Sequence, residues 1–278
     1  IKSIDEIPFL PVSIYKIQEV KCGEWEPQTY FYSSGTSDLP RSKNPVKNIE
    51  IYRNSTFISF YAFFGEEPEN FIHTGIIPNY LENPASSLLC MLRFFSENQG
   101  GSRFFGKNFD AFKQYICENI LNKNLKSIIW GTTFTLYEFA VNNSLPLPSN
   151  AIIIETGGLK KSGYTITREE LHKLLSECFC TEKIYSEFGM AELFSQAYGK
   201  GEWLTPSPFL FVTTRDIYDP FSPAPQGKEG RLAFIDLCNL TTTCFLLSDD
   251  IGIVDEYGRF KALGRLSDSD IRGCHNIY

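Results

Sequence analysis

Two short apolar runs with a helical segment between them constrain the fold of this chain more than any other feature. Residues 127–130 and 151–154 are apolar and bounded by polar turns, and residues 135–142 between them have helical spacing. Short, continuously apolar runs are typical of strands that are buried on both faces, as in parallel sheets covered by helices. The order strand, helix, strand therefore predicts an α/β fold.

Further segments predict helices that pack on such a sheet. Aromatic and apolar residues recur at helical spacing in a segment that ends near Gly65, and again over residues 85–98 and 109–121. Residues 167–170 form a capping box that opens a helix to about Phe179, and another strand follows it. We expect the aromatic stripes of these helices to lie in the core.

The pattern changes at residue 209, after which short strands alternate with turns. The predicted strands are residues 209–213, 230–237, 244–247, 252–254 and 259–263. We therefore expect an α/β core over residues 1–208 and a β-rich subdomain over residues 209–278, which ends in a tail that contains Cys274.

Composition excludes several classes of protein. With 278 residues and 42% hydrophobic content, the chain can bury the core of one large or two modest domains. Its 33 acidic and 26 basic residues are not the balance of a nucleic-acid-binding protein. The longest apolar runs are far shorter than the roughly 18 residues of a membrane span, and no signal-peptide pattern opens the chain. We expect a cytoplasmic protein, and the start at Ile1 is consistent with a natural chain that has residues before it.

The cysteines do not predict a metal site. Eight are scattered along the chain, and the two nearest, Cys178 and Cys180, form a C-x-C rather than a C-x-x-C pattern. Because the three histidines also lack metal-ligand spacing, we expect reduced thiols and no structural metal.

Residues 32–43, YSSGTSDLPRSK, predict a phosphate-binding loop. Backbone N–H groups freed by a glycine, several hydroxyls and two cations can converge on an anion there. A Walker P-loop is excluded because the segment has no second glycine. The alternative is a surface turn rich in serine and threonine. The candidate phosphate ligands are Ser33, Ser34, Gly35, Thr36, Ser37, Arg41 and Lys43.

The segment YSEFGMAE, residues 185–192, presents a carboxylate after a predicted strand. The chain turns at Gly189, and Glu192 suits a Mg²⁺ ion that also binds phosphate oxygens. Phe188 can stack on a purine. The alternative is a core aromatic followed by a solvated glutamate.

Two segments near the end of the chain carry further candidates. In LLSDDIG, residues 246–252, two acids follow an apolar run, and an aspartate there can accept hydrogen bonds from ribose hydroxyls. The alternative is an ordinary pair of acids where a strand enters a turn. Gly264 precedes Arg265, which is either a phosphate contact or a surface charge.

In this order the four segments resemble the motifs of the adenylate-forming enzymes, the superfamily of acyl-CoA synthetases and firefly-type luciferases. They are similar to its Ser/Thr/Gly phosphate loop, its aromatic-Gly-x-Thr-Glu segment, its Tyr-Arg-Thr-Gly-Asp segment and its Gly-Arg hinge. Within the superfamily the chain most resembles the LuxE-type acyl-protein synthetases. IDEIPFLPVSIYK near the start, ETGGLKKSG at residues 155–163 and RGC at residues 272–274 carry that resemblance, which covers nearly the whole chain.

The resemblance implies a fold and a reaction. The fold would be that of the N-terminal domain of adenylate-forming enzymes, with helices around a mixed sheet and without the usual small C-terminal domain. The reaction would use ATP and Mg²⁺ to convert a fatty acid to an acyl adenylate. The loop would hold the β- and γ-phosphates, Glu192 the metal and Asp250 the ribose. Phe188 would contact the adenine, and Arg265 the phosphate or ribose edge.

The chain departs from the superfamily pattern at several positions. Ala191 stands where threonine is usual, and Ser248–Asp249 replaces Thr-Gly, which makes Asp250 the better ribose ligand. Because the domain that carries the catalytic lysine of the larger synthetases is expected to be absent, a cation must come from elsewhere. Lys160, Lys161 and Lys43 are the candidates.

The acceptor of the acyl group is implied to be Cys274, since LuxE-type proteins are acylated on a cysteine near their C-terminus. A thiol is intrinsically nucleophilic enough to attack an adenylate. The alternative is an inert terminal cysteine. The partner implied is an acyl-CoA reductase-like protein that receives the acyl group. Two other functions stay open: an acyl-CoA ligase of the phenylacetate-CoA ligase type, and a non-catalytic nucleotide-binding subunit.

Overall fold

A sheet of twelve strands runs through this computed structural model, which describes residues 2–3, 6–33, 41–78, 85–98, 103–123, 125–158, 160–161 and 164–266. The strands are β1 (Leu10–Pro11), β2 (Thr29–Tyr32), β3 (Lys43–Val46), β4 (Ile72–Ile76), β5 (Arg103–Phe104), β6 (Ser127–Thr132), β7 (Ile152–Thr156), β8 (Lys160–Lys161), β9 (Tyr164–Thr165), β10 (Ile184–Phe188), β11 (Ala197–Lys200), β12 (Trp203–Pro206), β13 (Leu210–Arg215), β14 (Gly230–Asp236), β15 (Phe245–Val254) and β16 (Phe260–Arg265).

The α-helices are α1 (Ile49–Phe64), α2 (Ser87–Ser96), α3 (Phe109–Tyr115), α4 (Thr133–Asn142) and α5 (Arg168–Phe179). Two short 3₁₀ segments, Val12–Lys16 and Pro68–Asn70, and a π-helical turn, Ile116–Leu121, complete the helical structure of the described residues.

The large sheet has a parallel half and an antiparallel half. Strands β5, β4, β6, β7 and β10 lie side by side and parallel, and the order continues through β11, β12, β16, β15, β14 and β13 with antiparallel pairing. β1 adds to β15 in parallel. The hairpins β2–β3 and β8–β9 form two separate small sheets. The division of the chain near residue 208 into two domains stays a prediction, since the same sheet contains strands from both sides of it.

Alternate residues of the central strands pack against two different helical layers. Ile129 and Ile153 belong to the cluster formed with α3, α4 and α5. Trp130 and Ile154, one residue further along each strand, belong to the cluster formed with α1 and α2. Burial on both faces explains why these strands are continuously apolar. The predicted α/β order of strands and helices is confirmed.

The helix ends follow from local chemistry, as expected. α1 ends at Gly65, which has a left-handed φ of 70° that favours glycine, and the Gly65 N–H donates to the Tyr61 carbonyl. α5 begins with the predicted capping box, in which the side chains of Thr167 and Glu170 bond each other's backbone N–H groups.

The prediction of two strands at residues 244–247 and 252–254 is wrong, because Phe245–Val254 forms one strand. Three residues of β15, Ser248 to Asp250, lie opposite the single residue Leu232 of β14, which makes a β-bulge with two extra residues. The Ser248 hydroxyl donates to the Leu232 carbonyl at 3.0 Å and accepts from the Asp250 N–H at 3.0 Å. The Ser248 hydroxyl therefore takes the place of backbone hydrogen bonds between β14 and β15. The strand can then continue through Ser248 to Asp250, a polar sequence that is typical of a turn.

Among the described residues, no helix has the length and apolar composition needed to cross a membrane.

Candidate functional site

A cavity of about 470 Å³ opens at the carboxyl ends of the parallel strands β6, β7 and β10. Thr132, Thr156 and Glu187 line it from the last two residues of these three strands. Ligands in open α/β sheets bind in the crevice outside the carboxyl ends of the strands. The position of the cavity therefore makes it the candidate site.

Polar residues replace apolar ones where the three strands reach the cavity. Thr132 pairs with Thr156 across β6 and β7, and Thr156 pairs with Glu187 across β7 and β10. Two residues earlier on the same face, Trp130 and Ile154 lie in the apolar core. The Thr156 hydroxyl donates to Glu187 Oε2 at 2.5 Å. The three residues form a polar row at the edge of an apolar layer.

Glu187 is a buried carboxyl in the cavity wall. Burial raises its pKa to about 7, the Thr156 hydrogen bond opposes the shift, and the charge of Glu155 adds to it. A Cβ atom at Gly189 would lie 2.7 Å from Glu187 Oε1, so the glycine leaves room for the carboxyl group.

The segment that carries Glu192 is held by three side chains from two other parts of the chain. Asn44 Nδ2 donates to the Ala191 carbonyl at 2.8 Å, and Asn239 Nδ2 donates to the Glu192 carbonyl at 2.8 Å. The Ser42 hydroxyl donates to Glu192 Oε1. These bonds fix both the backbone and the carboxylate of Glu192 against the cavity.

Glu192 is suited to a metal ion that brings its own further ligands. Burial raises its pKa, while the Ser42 hydrogen bond and the charges of Arg265 and Lys16 favour the ionised form. Within the described ranges, no group of three or more His, Cys, Asp or Glu side chains is placed to hold a metal by itself. Mg²⁺ binds readily to one or two carboxylates plus phosphate oxygens, so the donor set fits a nucleotide-bound ion.

The predicted phosphate loop begins and ends at the cavity. Ser33 and Ser42 both line it, the Ser33 N–H donates to the Ser42 carbonyl at 3.2 Å, and the Ser42 N–H donates to Ser33 Oγ at 3.0 Å. Arg41 Nε donates to the Ser33 carbonyl at 2.6 Å. The central candidates Ser34, Gly35, Thr36 and Ser37 lie outside the described residues.

Asp250 and Arg265 reach the cavity from the antiparallel half of the sheet. They pair across β15 and β16, and Arg265 Nε donates to Asp250 Oδ1 at 3.1 Å. Burial raises the pKa of Asp250, and the Arg265 charge opposes the shift. Asp249 also lines the cavity and pairs with Arg231 Nη2 at 3.2 Å. The bulge in β15 therefore delivers two acids to the site.

Other predicted site residues lie elsewhere. Lys43 Nζ is 3.4 Å from Glu19 Oε2 and 3.9 Å from the centre of the Tyr30 ring, and Lys43 is not part of the cavity lining. Phe188 packs against the rings of Phe234 and Phe260 at centroid distances of 5.5 and 5.2 Å, and it too is absent from the lining. Their proposed contacts with nucleotide stay predictions.

Two predicted residues fall outside what the structure describes. The backbone of Lys160 belongs to β8, but its side chain is outside the description, and so is the whole of Cys274. Seven other cysteines are free thiols, and Cys22, Cys117 and Cys180 among them are exposed.

Glu187 and the role of Ser42 are not among the residues that the sequence predicts. Glu187 lies in YSEFGMAE, the same segment as Glu192, and the alternation along a strand places Glu187 on the opposite face from Phe188. That alternation was the available signal. Nothing local marks Ser42 as a partner of Glu192, because 150 residues separate the two.

Solved structures of adenylate-forming enzymes superpose on this fold. ATP-bound MatB from Rhodopseudomonas palustris superposes with a TM-score of 0.62 at 13% identity, over 85% of this chain and 47% of that one. O-succinylbenzoate coenzyme A synthetase from Bacillus subtilis, in complex with ATP and magnesium, superposes with a TM-score of 0.57 at 15% identity, over 85% and 50%. The expected fold class is confirmed.

Sequence comparison identifies the family. A curated relative, the long-chain-fatty-acid–luciferin-component ligase of Vibrio harveyi, is 33% identical over 109 residues, which cover 37% of this chain and 29% of the relative. The chain thus matches less than a third of that relative and about half of the two solved structures. The model of the family described as acyl-protein synthetase, LuxE, matches residues 99–278. The chain belongs to the LuxE family of acyl-protein synthetases.

Proposed function

We propose that this protein uses ATP to activate a long-chain fatty acid as an acyl adenylate and then transfers the acyl group to the thiol of Cys274. Family membership supports the reaction class. One structural observation carries the proposal further: Glu192, Asp250, Arg265 and both ends of the phosphate loop meet in one cavity.

Each part of the cavity has a role in the first half-reaction. The fatty carboxylate attacks the α-phosphorus of ATP, and pyrophosphate leaves. Ser33, the loop that follows it and Arg265 would bind phosphate, and Asp250 would accept hydrogen bonds from the ribose. These groups act by positioning and charge neutralisation, which provide most of the catalysis in phosphoryl chemistry.

Magnesium fits this arrangement through Glu192. The ion would neutralise charge on the phosphates when bound. Ser42 orients the Glu192 carboxylate, and Asn44 and Asn239 hold the backbone on either side of it.

In the second half-reaction the Cys274 thiolate attacks the acyl carbon, a thioester forms and AMP leaves. We further propose that the acyl group passes from this thioester to an acyl-CoA reductase-like partner in the cytoplasm. The curated relative is named for ligation of a long-chain fatty acid to a luciferin component, which is consistent with a fatty acid substrate.

The test is incubation of the chain with radiolabelled fatty acid and ATP-Mg²⁺, followed by a denaturing gel with and without neutral hydroxylamine. We expect an ATP-dependent, hydroxylamine-labile band. Cys274→Ser should abolish the band but keep pyrophosphate release, whereas Cys117→Ser, which alters an exposed thiol, should change neither. Glu192→Gln should lower pyrophosphate release.

Other outcomes would select a different function. Acid-dependent pyrophosphate release with no protein band, but with acyl-CoA formed on addition of coenzyme A, would indicate a ligase of the phenylacetate-CoA ligase type. Nucleotide binding without pyrophosphate release would indicate a non-catalytic subunit. A band that persists in Cys274→Ser would show that another residue is the acceptor.

A further inference from the structure

Within the described ranges, Glu187 differs from Glu155, Asp249 and Asp250 in having no cation at ion-pair distance. Asp249 pairs with Arg231, Asp250 pairs with Arg265, and Glu155 Oε1 lies 3.1 Å from Arg168 Nε. For Glu187 the part of the chain that the structure describes provides one hydrogen-bond donor, Thr156, and no ion pair.

Among the described residues, the ionisable groups that interact electrostatically with Glu187 are one glutamate and two tyrosines. The charge of Glu155 on β7 acts on Glu187. Burial would raise the pKa of Glu155, but His172, Arg168, Ser186 and Thr133 together hold it below its ordinary value. Tyr52 of α1 and Tyr198 of β11 interact with Glu187 as well, and burial raises the pKa of both phenols, so they stay neutral.

The described cations that line the cavity act on other acids. Lys16 and Arg265 line the cavity and act on Glu192, and Arg265 also pairs with Asp250. Near Glu187 the lining includes Tyr52, whose hydroxyl donates to the Ser87 carbonyl at 2.8 Å. Among the described residues, the cations of the cavity wall therefore act on acids other than Glu187.

We propose that Glu187 determines how well the cavity accepts an acid substrate, because its neutral carboxyl tolerates a second carboxylate in the cavity and its ionised form repels one. The inference rests on the proposed function, since it takes a fatty carboxylate as the ligand. It identifies Glu187 as a specificity-determining residue that acts through charge.

The charge of Glu187 should affect binding of the acid because both carboxyl groups would lie in the same cavity. Glu187 lies in the wall of the cavity of about 470 Å³, and like charges interact more strongly beside a buried group than in bulk water. Burial raises the pKa of Glu187 to about 7, so the group changes charge near neutral pH. Affinity for the acid should fall as pH rises through that value.

The experiment measures KM for decanoate, a soluble fatty acid, in ATP–pyrophosphate exchange from pH 6 to pH 9. For the unmodified chain we expect KM for decanoate to rise at least tenfold across this range, with a smaller change in kcat. Glu187→Gln keeps the size and neutrality of the side chain, so its KM should stay low and flat. The protonation of ATP also changes with pH, but it affects both proteins equally and cannot produce a difference between their KM profiles.

Two controls distinguish charge from structural damage. Decanol has the same chain and no charge, so its inhibition constant should not change with pH in either protein. Thr156→Val removes a hydrogen bond that favours the ionised form of Glu187, so it should move the rise in KM to higher pH.

A binding measurement separates this inference from the proposed function. Calorimetric titration with decanoate needs no catalysis: binding that weakens with pH in the unmodified chain but not in Glu187→Gln supports the inference even if no pyrophosphate exchange occurs. The inference is overturned by a KM or binding constant that is independent of pH in the unmodified chain, by the same pH dependence in Glu187→Gln, or by a chain that binds no decanoate at any pH.

Discussion

Ser42 donates a hydrogen bond to Glu192 across 150 residues of sequence, and both side chains are buried. The bond joins the end of the phosphate loop to the carboxylate that suits a metal ion. The position of the loop and the orientation of the Glu192 carboxylate are therefore coupled, so a substitution at Ser42 should alter the orientation of the carboxylate, and a substitution at Glu192 should alter the position of the loop.

We expect Ser42→Ala to raise KM for ATP-Mg²⁺ about tenfold. It should also lower the free energy of unfolding by about 1–3 kcal/mol, because a buried carboxylate loses its donor. Steady-state kinetics and urea unfolding measure the two effects. Ser222→Ala is a matched control, since it breaks a Ser222–Asp219 hydrogen bond of 2.6 Å in an exposed loop. Equal losses in the two variants would contradict a specific role for Ser42.

Arg265→Gln should weaken nucleotide binding far more than it weakens the fold. The Arg265 side chain is 75% exposed, so its pair with Asp250 should contribute less than about 1 kcal/mol to stability. Its place in the cavity wall predicts a rise of about 10- to 100-fold in KM for ATP, measured against Tm in the same samples. Arg259→Gln removes a comparable pair with Asp255, at 2.8 Å in the turn between β15 and β16, and should leave KM unchanged.

Gly189→Ala should displace the Glu187 carboxyl group, because the new Cβ would lie 2.7 Å from Glu187 Oε1. We expect kcat/KM for the fatty acid to fall at least tenfold. The same substitution made in a Glu187→Ala chain should have a much smaller effect, because the clashing group is gone. Additive losses in this double-mutant cycle would show that Gly189 acts through something other than Glu187.

Glu187 should also make stability depend on pH. Its pKa is about 7 in the folded protein and near its ordinary value of 4.5 in the unfolded chain, so the folded state binds the extra proton between these values. Its contribution to stability is fully present below pH 4.5 and is lost as pH rises through about 7.

Urea unfolding from pH 4.5 to pH 8 tests this sign. As pH rises across this range, the unmodified chain should lose about 3 kcal/mol of free energy of unfolding relative to Glu187→Gln. Glu256→Gln alters an exposed glutamate and should follow the unmodified chain at every pH. A constant difference for Glu187→Gln would show that the carboxyl group does not titrate in this window.

Much of the fold follows from local patterns in the sequence. The apolar runs that become β6 and β7 are buried on both faces, and the end of α1 at Gly65 and the start of α5 at Thr167 depend on residues next to each other in the chain. Such features are determined by period and capping chemistry, which can be read without knowing the tertiary structure.

The rest depends on contacts between distant residues. The polar stretch at Ser248 to Asp250 has the composition of a turn, and the bulge against Leu232 keeps it in a strand. Thr156 and Glu187 become partners through the register of β7 and β10. No local pattern encodes a register between strands separated by a helix and a hairpin, so the sequence predicted Glu192, Asp250 and Arg265 but neither Glu187 nor its partner Thr156.

The site takes groups from both halves of the sheet, with Thr156 and Glu187 from the parallel half and Asp250 and Arg265 from the antiparallel half. A molecule that fills the cavity would contact both halves directly, whereas the protein itself joins them through the hydrogen-bonded strands β10, β11, β12 and β16. A bound substrate would therefore stabilise both halves against local opening. Backbone amide hydrogen exchange should slow in both halves when the cavity is occupied.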